Sequence, residues 1–453
     1  MSETSRAPSF SLPYLSRVNT RLRETNPSWS QHLAMSAFVA LITLALLGPW
    51  MTVNNENTQN AIRQAGYGAI LVLALIATRP WQHPERLLVV PWPILMVLAW
   101  CWLSTLWMID PSVGIRRLVL TTIIAWSLFA LVRQLGPERT VSILRTMLAI
   151  MLMVNFVFAV FYPEIGRDSG GGEGLTGTWR GLMGQKNFAG VPCAMAILFF
   201  LFDTGRVHWI VRIAVCAGAV IFLVMSESKT SMGICAASVV AGVVFGLLAK
   251  RLGQRQLALP ALSWLLLVGP VLIFVSMAID NVPYLALVSD PAAFTGRTQI
   301  WAALIKAYAD RPWLGVGYGS FWDLGPAGPI FKYATGWVTN MSEGHDGYLD
   351  LLVQIGGIGT LLALYATLVW PARRLLYGGD HPARTLAAAL VVFSFGHNFT
   401  ESTLFDRDAL VQVFLMVAIA LLWAVTAAPV GGSTTAIPAR PAKPIRPRAP
   451  LRL

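Results

Sequence analysis

The chain has 453 residues, 55% hydrophobic and only 12% charged, with a net charge of +12. A soluble domain carries roughly 25% charged residues, so too little polar surface exists to coat two or three soluble domains, and the wealth of Trp, Phe and Leu excludes a disordered chain. What remains is an all-α polytopic membrane protein; continuous apolar runs, rather than alternating ones, argue against an outer-membrane barrel.

Residues 1–31 are polar and read as a cytoplasmic N-terminal tail. No small-residue cleavage site follows the first apolar run, so the first helix is expected to be a retained anchor. Twelve apolar runs then give about 12 transmembrane helices, near 32–51, 65–79, 87–108, 117–133, 141–162, 188–203, 209–226, 231–249, 258–279, 347–370, 384–399 and 409–427. The second, sixth and eleventh are short. Together, residues 32–427 form one membrane domain with two long non-cytoplasmic loops, 163–187 and 280–346, the latter between helices 9 and 10. Residues 428–453 hold six prolines, five cations and no acid, a disordered cytoplasmic C-terminal tail.

Charge placement supports this count. With alternating sides and a cytoplasmic N-terminus, 21 of the 34 Lys and Arg fall on the cytoplasmic side and 12 opposite, with Arg145 inside a helix. The positive-inside rule then places both termini in the cytoplasm. No basic stripe with interleaved aromatics suggests nucleic acid, and the lipid bilayer is the expected partner of the charge. The four cysteines, Cys101, Cys193, Cys216 and Cys235, show neither disulfide nor metal-ligand spacing and read as small buried hydrophobes. No repeat of 20–50 residues is visible, which weakens an inverted-repeat transporter.

The non-cytoplasmic segments carry the chemistry. In 163–187, Arg180 and Lys186 precede a helix starting at 187 or 188, an arrangement suited to an anion or to lipid headgroups. In 296–322, Ile300, Trp301, Leu304, Ile305 and Tyr308 fall at helical spacing, so an amphipathic interfacial helix opens on Arg297 and ends at Pro312. Gly315, Gly317 and Gly319 form a turn-rich return; with no strand before them they make no nucleotide fold. His345 stands at the mouth of the tenth helix as a candidate general base. The spacing of Glu343, His345 and Asp346 does not put three metal ligands on one face, so no metal is expected. Asp406 and Asp408 form a D-x-D on the wrong side of the membrane for a nucleotide sugar. His397, Asn398 and Glu401 end the eleventh helix facing outward, in support of the site. An external site with arginines and no nucleotide motif suggests a phosphate-bearing lipid substrate.

Four stretches carry a family resemblance. They are RGLMGQKNFAG (180–190), SESKTS (226–231), GRTQIW through RPWLGVGYGSF (296–321) and HDGYLDLLVQIGGIG (345–359). In them the chain resembles the O-antigen ligase and O-antigen/exopolysaccharide polymerase family of bacterial inner-membrane glycosyltransferases. The resemblance implies a GT-C-like, metal-independent, inverting enzyme without cofactor. Its donor and acceptor would be polyprenyl-diphosphate (undecaprenyl-diphosphate) oligosaccharides, used at the periplasmic face beside other polysaccharide export components. It implies catalytic roles for His345, Arg297 and Arg180, and diphosphate binding by Arg180, Lys186, Asn187, Lys229 and Arg297. Gln185 replaces a common His. Asp346 replaces a common Asn and is expected to put a carboxylate beside the base, favouring its imidazolium. The S-x-S-K-T-S and Q-K-N-x-x-G stretches look more like exopolysaccharide polymerases than lipid A core ligases; the non-enzyme alternative is a transporter or flippase of lipid-linked sugars.

Overall fold

The computed structural model describes residues 28–51, 56–169, 176–202, 207–256, 296–377 and 381–426. Its principal elements are α1 (Trp29–Met51), α2 (Glu56–Thr78), α3 (Trp92–Leu103), α4 (Pro111–Leu135), α5 (Pro137–Phe161), α6 (Lys186–Leu201), α7 (Trp209–Met225), α8 (Lys229–Gln256), α9 (Arg297–Asp310), α10 (Gly347–Leu364), α11 (Trp370–Tyr377), α12 (Ala383–His397) and α13 (Leu410–Thr426). Among the described residues there is no strand beyond one isolated bridge, Arg167 to Trp179. The protein is an all-helical, multi-pass membrane protein. Among the described residues, six helical stretches are long and apolar enough to cross a bilayer: Trp29–Gly48, Ala61–Thr78, Pro111–Leu135, Pro137–Phe161, Lys229–Ala249 and Gly347–Leu376. Five shorter apolar helices stand beside them, so eleven of the twelve expected runs are helical; the ninth, 258–279, lies outside the described residues. Two runs differ in extent. The second helix starts earlier than its apolar core suggests, at Glu56, and the third is shorter, an α-helix that tightens into a 3-10 turn at Ser104–Leu106.

Local sequence explains the starts. Asp110 accepts hydrogen bonds from Ser112 N (3.0 Å) and Val113 N (3.2 Å), and Pro111 fills the first position of α4, where no N–H is needed. One face of each helix packs into a single core containing Phe38, Leu41, Phe129, Phe199, Phe222 and Phe414. The other face leaves Val72, Met153, Ile213, Ile221 and Leu361 about half exposed. In water such surface would aggregate; against acyl chains it is satisfied.

The helix ends sort into two groups. At one, here termed the upper end, the loops α5–α6, α7–α8, α9–α10 and α12–α13 meet: Trp179 N donates to Met225 O (3.0 Å) and Asn187 Nδ2 to Glu401 Oε1 (2.9 Å). At the lower end Arg86 Nη1 donates to Thr78 O (2.7 Å), and Arg374 Nη1 to Thr426 O (3.3 Å). Consecutive described spans alternate between these ends from α1 to α8 and again from α10 to α13; α8 and α10, on either side of the undescribed residues 257–295, both start at the upper end.

The G-x-G-x-G stretch has a specific structural use. Helix α10 breaks at Gly356, whose φ is +68° and where a β-carbon would lie 2.2 Å from Trp313 O. The segment Pro312–Gly319 docks into the break. Gly357 N donates to Pro312 O (2.7 Å), Val316 N to Val353 O (2.9 Å) and Gly317 N to Gln354 O (2.8 Å). Broken backbone inside an apolar bundle is tolerated only when its polar groups are satisfied by protein, and here two glycine-rich motifs satisfy one another. Helix α9 packs on this loop through Ile300, Ala303, Leu304 and Ala307, forming a second small core with Phe321 and Val353. Ile305, expected in the same stripe, is instead 55% exposed.

Candidate functional site

Four helices begin at the upper end close to one another. Three of them open on a cation: α6 on Lys186, α8 on Lys229 and α9 on Arg297, and none of these has an acid in its first turn. Cations are disfavoured at helix N-termini, by roughly 0.3–1 kcal/mol each. Gln185 and Gly296, the N-caps of α6 and α9, make no side-chain cap bond. The upper end thus concentrates positive potential and backbone N–H donors.

Glu401 is the anion that answers this potential. Its side chain is 5% exposed. Arg297 Nη2 donates to Glu401 Oε1 (2.9 Å), as does Asn187 Nδ2 (2.9 Å), and Arg297 Nη1 donates to Thr400 O. The other oxygen, Oε2, lies 3.2 Å from His345 Nδ1. Burial pushes the Glu401 carboxyl up, but the His345 hydrogen bond and the Arg297 charge outweigh it and hold it at about 2. The site is buttressed from α6 and α8: Ser228 Oγ donates to Asn187 Oδ1 (3.3 Å), and Thr400 Oγ1 lies 3.1 Å from Thr230 Oγ1. Gly190 lets the two helices approach, since a β-carbon there would meet Ser231 Oγ at 2.7 Å.

His345 sits on a short turn with φ +51°, uncommon for a side chain of its size. The turn is pinned by Trp301 Nε1 to Gly344 O (3.1 Å), Gly344 N to Asp350 Oδ2 (2.8 Å), Asp346 N to Ser402 Oγ (3.1 Å) and Gly347 N to Asn398 O (2.8 Å). Its Nδ1 faces two carboxylates, Glu401 and, at 3.3 Å, Glu343 Oε1. Burial, together with the neighbouring Glu401 charge, pushes the Glu343 carboxyl well above its usual range. An Nδ1–H donated to a carboxylate leaves Nε2 as the acceptor, the arrangement a general base requires.

The carboxylate expected beside the base is elsewhere. Asp346 Oδ1 accepts from Tyr348 N (2.9 Å) and Leu349 N (3.0 Å), so it caps α10. At the start of a helix a carboxylate turns onto the free N–H groups of its own first turn. Burial raises it to about 6 even so. His397, Asn398 and Glu401 lie at the upper end, all three buried, with Glu401 at the centre of the network.

Residues 213–364 match the family described as O-antigen ligase. No curated protein matches the chain. The matched stretch runs from within α7 to the end of α10. It takes in Lys229, Arg297 and His345 and three of the four resembling stretches. Arg180, Lys186, Asn187 and Glu401 lie outside it and join the site through the fold. Of the residues expected in the site, the structure brings His345, Arg297 and Asn187 into one network through Glu401. Lys186 and Lys229 stand at the adjoining helix starts. Arg180 lies in the same α5–α6 loop, with its guanidinium on Ile165 O (3.2 Å) and Gly184 O (3.3 Å) rather than on Glu401.

Glu343, His345 and Glu401 each offer a ligand atom, all within 4.8 Å of one another. Both Glu401 oxygens already serve Arg297, Asn187 and His345, so a divalent ion would have to displace a guanidinium or sit against it, which its charge disfavours. The donor set fits an organic cation cluster better than a metal.

Proposed function

We propose that this protein transfers a glycan from a polyprenyl diphosphate to an acceptor hydroxyl at the periplasmic face of the bacterial inner membrane, both termini being cytoplasmic. The acceptor in this reading is a further lipid-linked repeat, and the product a growing exopolysaccharide. The observation that carries it is the gathering, at one end of the bundle beside His345, of three helices that open on Lys186, Lys229 and Arg297, where helix dipoles and cations together suit an anion.

Arg180 holds two backbone carbonyls, and Arg297 one carbonyl and the Glu401 carboxylate, each with part of the guanidinium, and their remaining N–H groups bind the diphosphate. His345 Nε2 takes the proton of the acceptor hydroxyl as its oxygen attacks the anomeric carbon. The bond from that carbon to the diphosphate breaks on the opposite face, its electron pair leaves with the phosphate, and the anomeric centre inverts. Glu401 holds the imidazole tautomer and stabilises the imidazolium that forms. Side-chain and backbone donors do the electrostatic work, so no metal is required.

Ligation to lipid A core is the second reading, favoured by the description of the matching family. A transporter is disfavoured because the buried arginines Arg145 and Arg384 cap helix ends instead of lining a midplane path. Deleting the protein separates the three. Loss of long polymer with single lipid-linked repeats accumulating in the periplasm supports polymerisation. Long polymer that persists on its lipid carrier but no longer reaches lipid A core supports ligation. Repeats trapped on the cytoplasmic face support transport.

A further inference from the structure

Trp337 stands apart from the apolar surface that faces the membrane. It lies in the 3-10 turn Gly336–Asn340 and is 42% exposed. Its indole N–H donates to Gln299 Oε1 (3.2 Å), in the first turn of α9. The benzo edge of the ring lies against Gly296, where a β-carbon would be 3.0 Å away. Gly296 is the N-cap of α9, and the next residue is Arg297 of the site. One hydrogen bond and one backbone contact therefore fix an exposed indole at the start of α9, against the residue that precedes Arg297. The residues around it are polar: Gln299, Thr335 and Asn340 are all exposed. The contrast is with Trp313 and Leu314, also exposed, which the Trp107 Nε1 to Leu314 O bond (3.2 Å) sets beside the exposed apolar Leu106 and Ile109. That second patch has the composition of a membrane-interface anchor; the surroundings of Trp337 do not.

We propose that Trp337 is the stacking platform of a sugar subsite for the acceptor glycan. The inference rests on the glycosyl-transfer reading above and names which part of the surface reads the acceptor. The C–H bonds on one face of a pyranose carry partial positive charge and meet the negative face of an indole, as cations and ring edges do. Hydroxyl groups around the sugar rim find amide and hydroxyl partners in Gln299, Asn340 and Thr335. A ring held by its own N–H loses little rotamer freedom on binding, so the contact contributes affinity at low entropic cost. Because the platform adjoins Arg297 and not the apolar bundle, it orders the glycan and leaves the lipid tail to other surfaces.

The test uses full-length protein in nanodiscs and, as probe, the oligosaccharide released by mild acid from the producing cell's lipid-linked fraction. Binding is measured by saturation-transfer NMR and calorimetry. Trp337→Leu, which keeps apolar bulk and removes the π face, is expected to weaken binding about 5- to 10-fold, and Trp337→Phe about 2-fold. In elongation assays Trp337→Leu should raise KM for the acceptor by the same factor and leave kcat unchanged. Unchanged oligosaccharide binding by Trp337→Leu overturns the subsite. So does a variant that reconstitutes poorly or melts earlier but binds normally once folded, because that marks a membrane anchor. His345→Ala separates this inference from the one beneath it: it should bind the oligosaccharide like wild type and fail to elongate it. If His345→Ala elongates normally, the base assignment falls, and the subsite is judged on the binding of Trp337→Leu alone.

Discussion

Arginines at the two ends of the bundle do opposite work. At the lower end they face helix C-termini. Arg145 donates to Phe199 O (2.8 Å) and Phe202 O (3.0 Å) at the end of α6, and Arg384 donates to Leu375 O near the end of α11. Arg374 reaches Thr426 O at the end of α13 and lies over the paired rings of Trp370 (5.0 Å) and Trp423 (4.8 Å). There the dipole and the free carbonyls both welcome a cation, so each arginine completes a helix. At the upper end Arg297 opens a helix and Arg180 precedes one, where exposed N–H groups and the dipole are already positive. One protein anion, Glu401, answers part of that charge. In the proposed function, arginines of the kind that complete helices at the lower end hold the ligand's phosphates where they stand at helix starts, and the polarity of the nearest helix makes the difference.

Substitutions at the two ends should separate accordingly. The largest effect is expected at His345. His345→Ala and His345→Gln should each lower polymer synthesis by ~10²–10⁴-fold, since an amide can hydrogen-bond but cannot take the proton; gel profiles of cell-surface glycan check it. Arg297→Lys comes next. It keeps the charge but cannot span Thr400 O and Glu401 together, and a loss of about 10²-fold in kcat/KM is expected. Near-wild-type kinetics would show that charge alone suffices there. Glu401→Gln should cost about 10-fold in kcat. It should also move the acidic limb of the pH–rate profile downward, because a protonated base loses its anionic partner.

At the lower end the readout should switch from turnover to stability. Arg145→Gln is expected to lower unfolding free energy by about 1–3 kcal/mol while the folded fraction keeps its kcat/KM. A catalytic defect without destabilisation would break the comparison. The smallest effect belongs to Asp346→Asn, which keeps a side-chain oxygen for Tyr348 N and Leu349 N. The folded-state carboxyl lies at about 6, above the ordinary value of ~3.9. Its contribution to stability is thus full below the ordinary value and lost as pH rises through about 6. Thermal midpoints of wild type should therefore fall across that window, and those of Asp346→Asn should fall less.

The spans, their alternation and most of the site are legible in the sequence because hydropathy and cation placement are long-range averages. His345, Arg297 and Arg180 stand out because their motifs place them at predicted helix starts. Glu401 stands out only as a supporting residue at the end of the eleventh helix; its pairing with both Arg297 and His345, the latter 56 positions earlier, is hidden because no local pattern links them. Asp346 misleads for the opposite reason: adjacency in sequence suggests adjacency to the imidazole, whereas the free N–H groups of α10 claim its oxygen first. The glycines at 315, 317 and 319 announce a turn, but their partner is a break in α10 some 40 residues on, visible only once Gly356 shows its positive φ.

The central claim is glycosyl transfer from a lipid diphosphate with His345 as base and side chains as the only cations. It is tested most directly by incubating purified protein with a purified polyprenyl-diphosphate-linked repeat in the presence of EDTA and sizing the glycan. Wild type should lengthen the glycan undiminished by the chelator, and His345→Ala should leave it as single repeats. Elongation that stops with EDTA, or that survives in His345→Ala, would contradict the account.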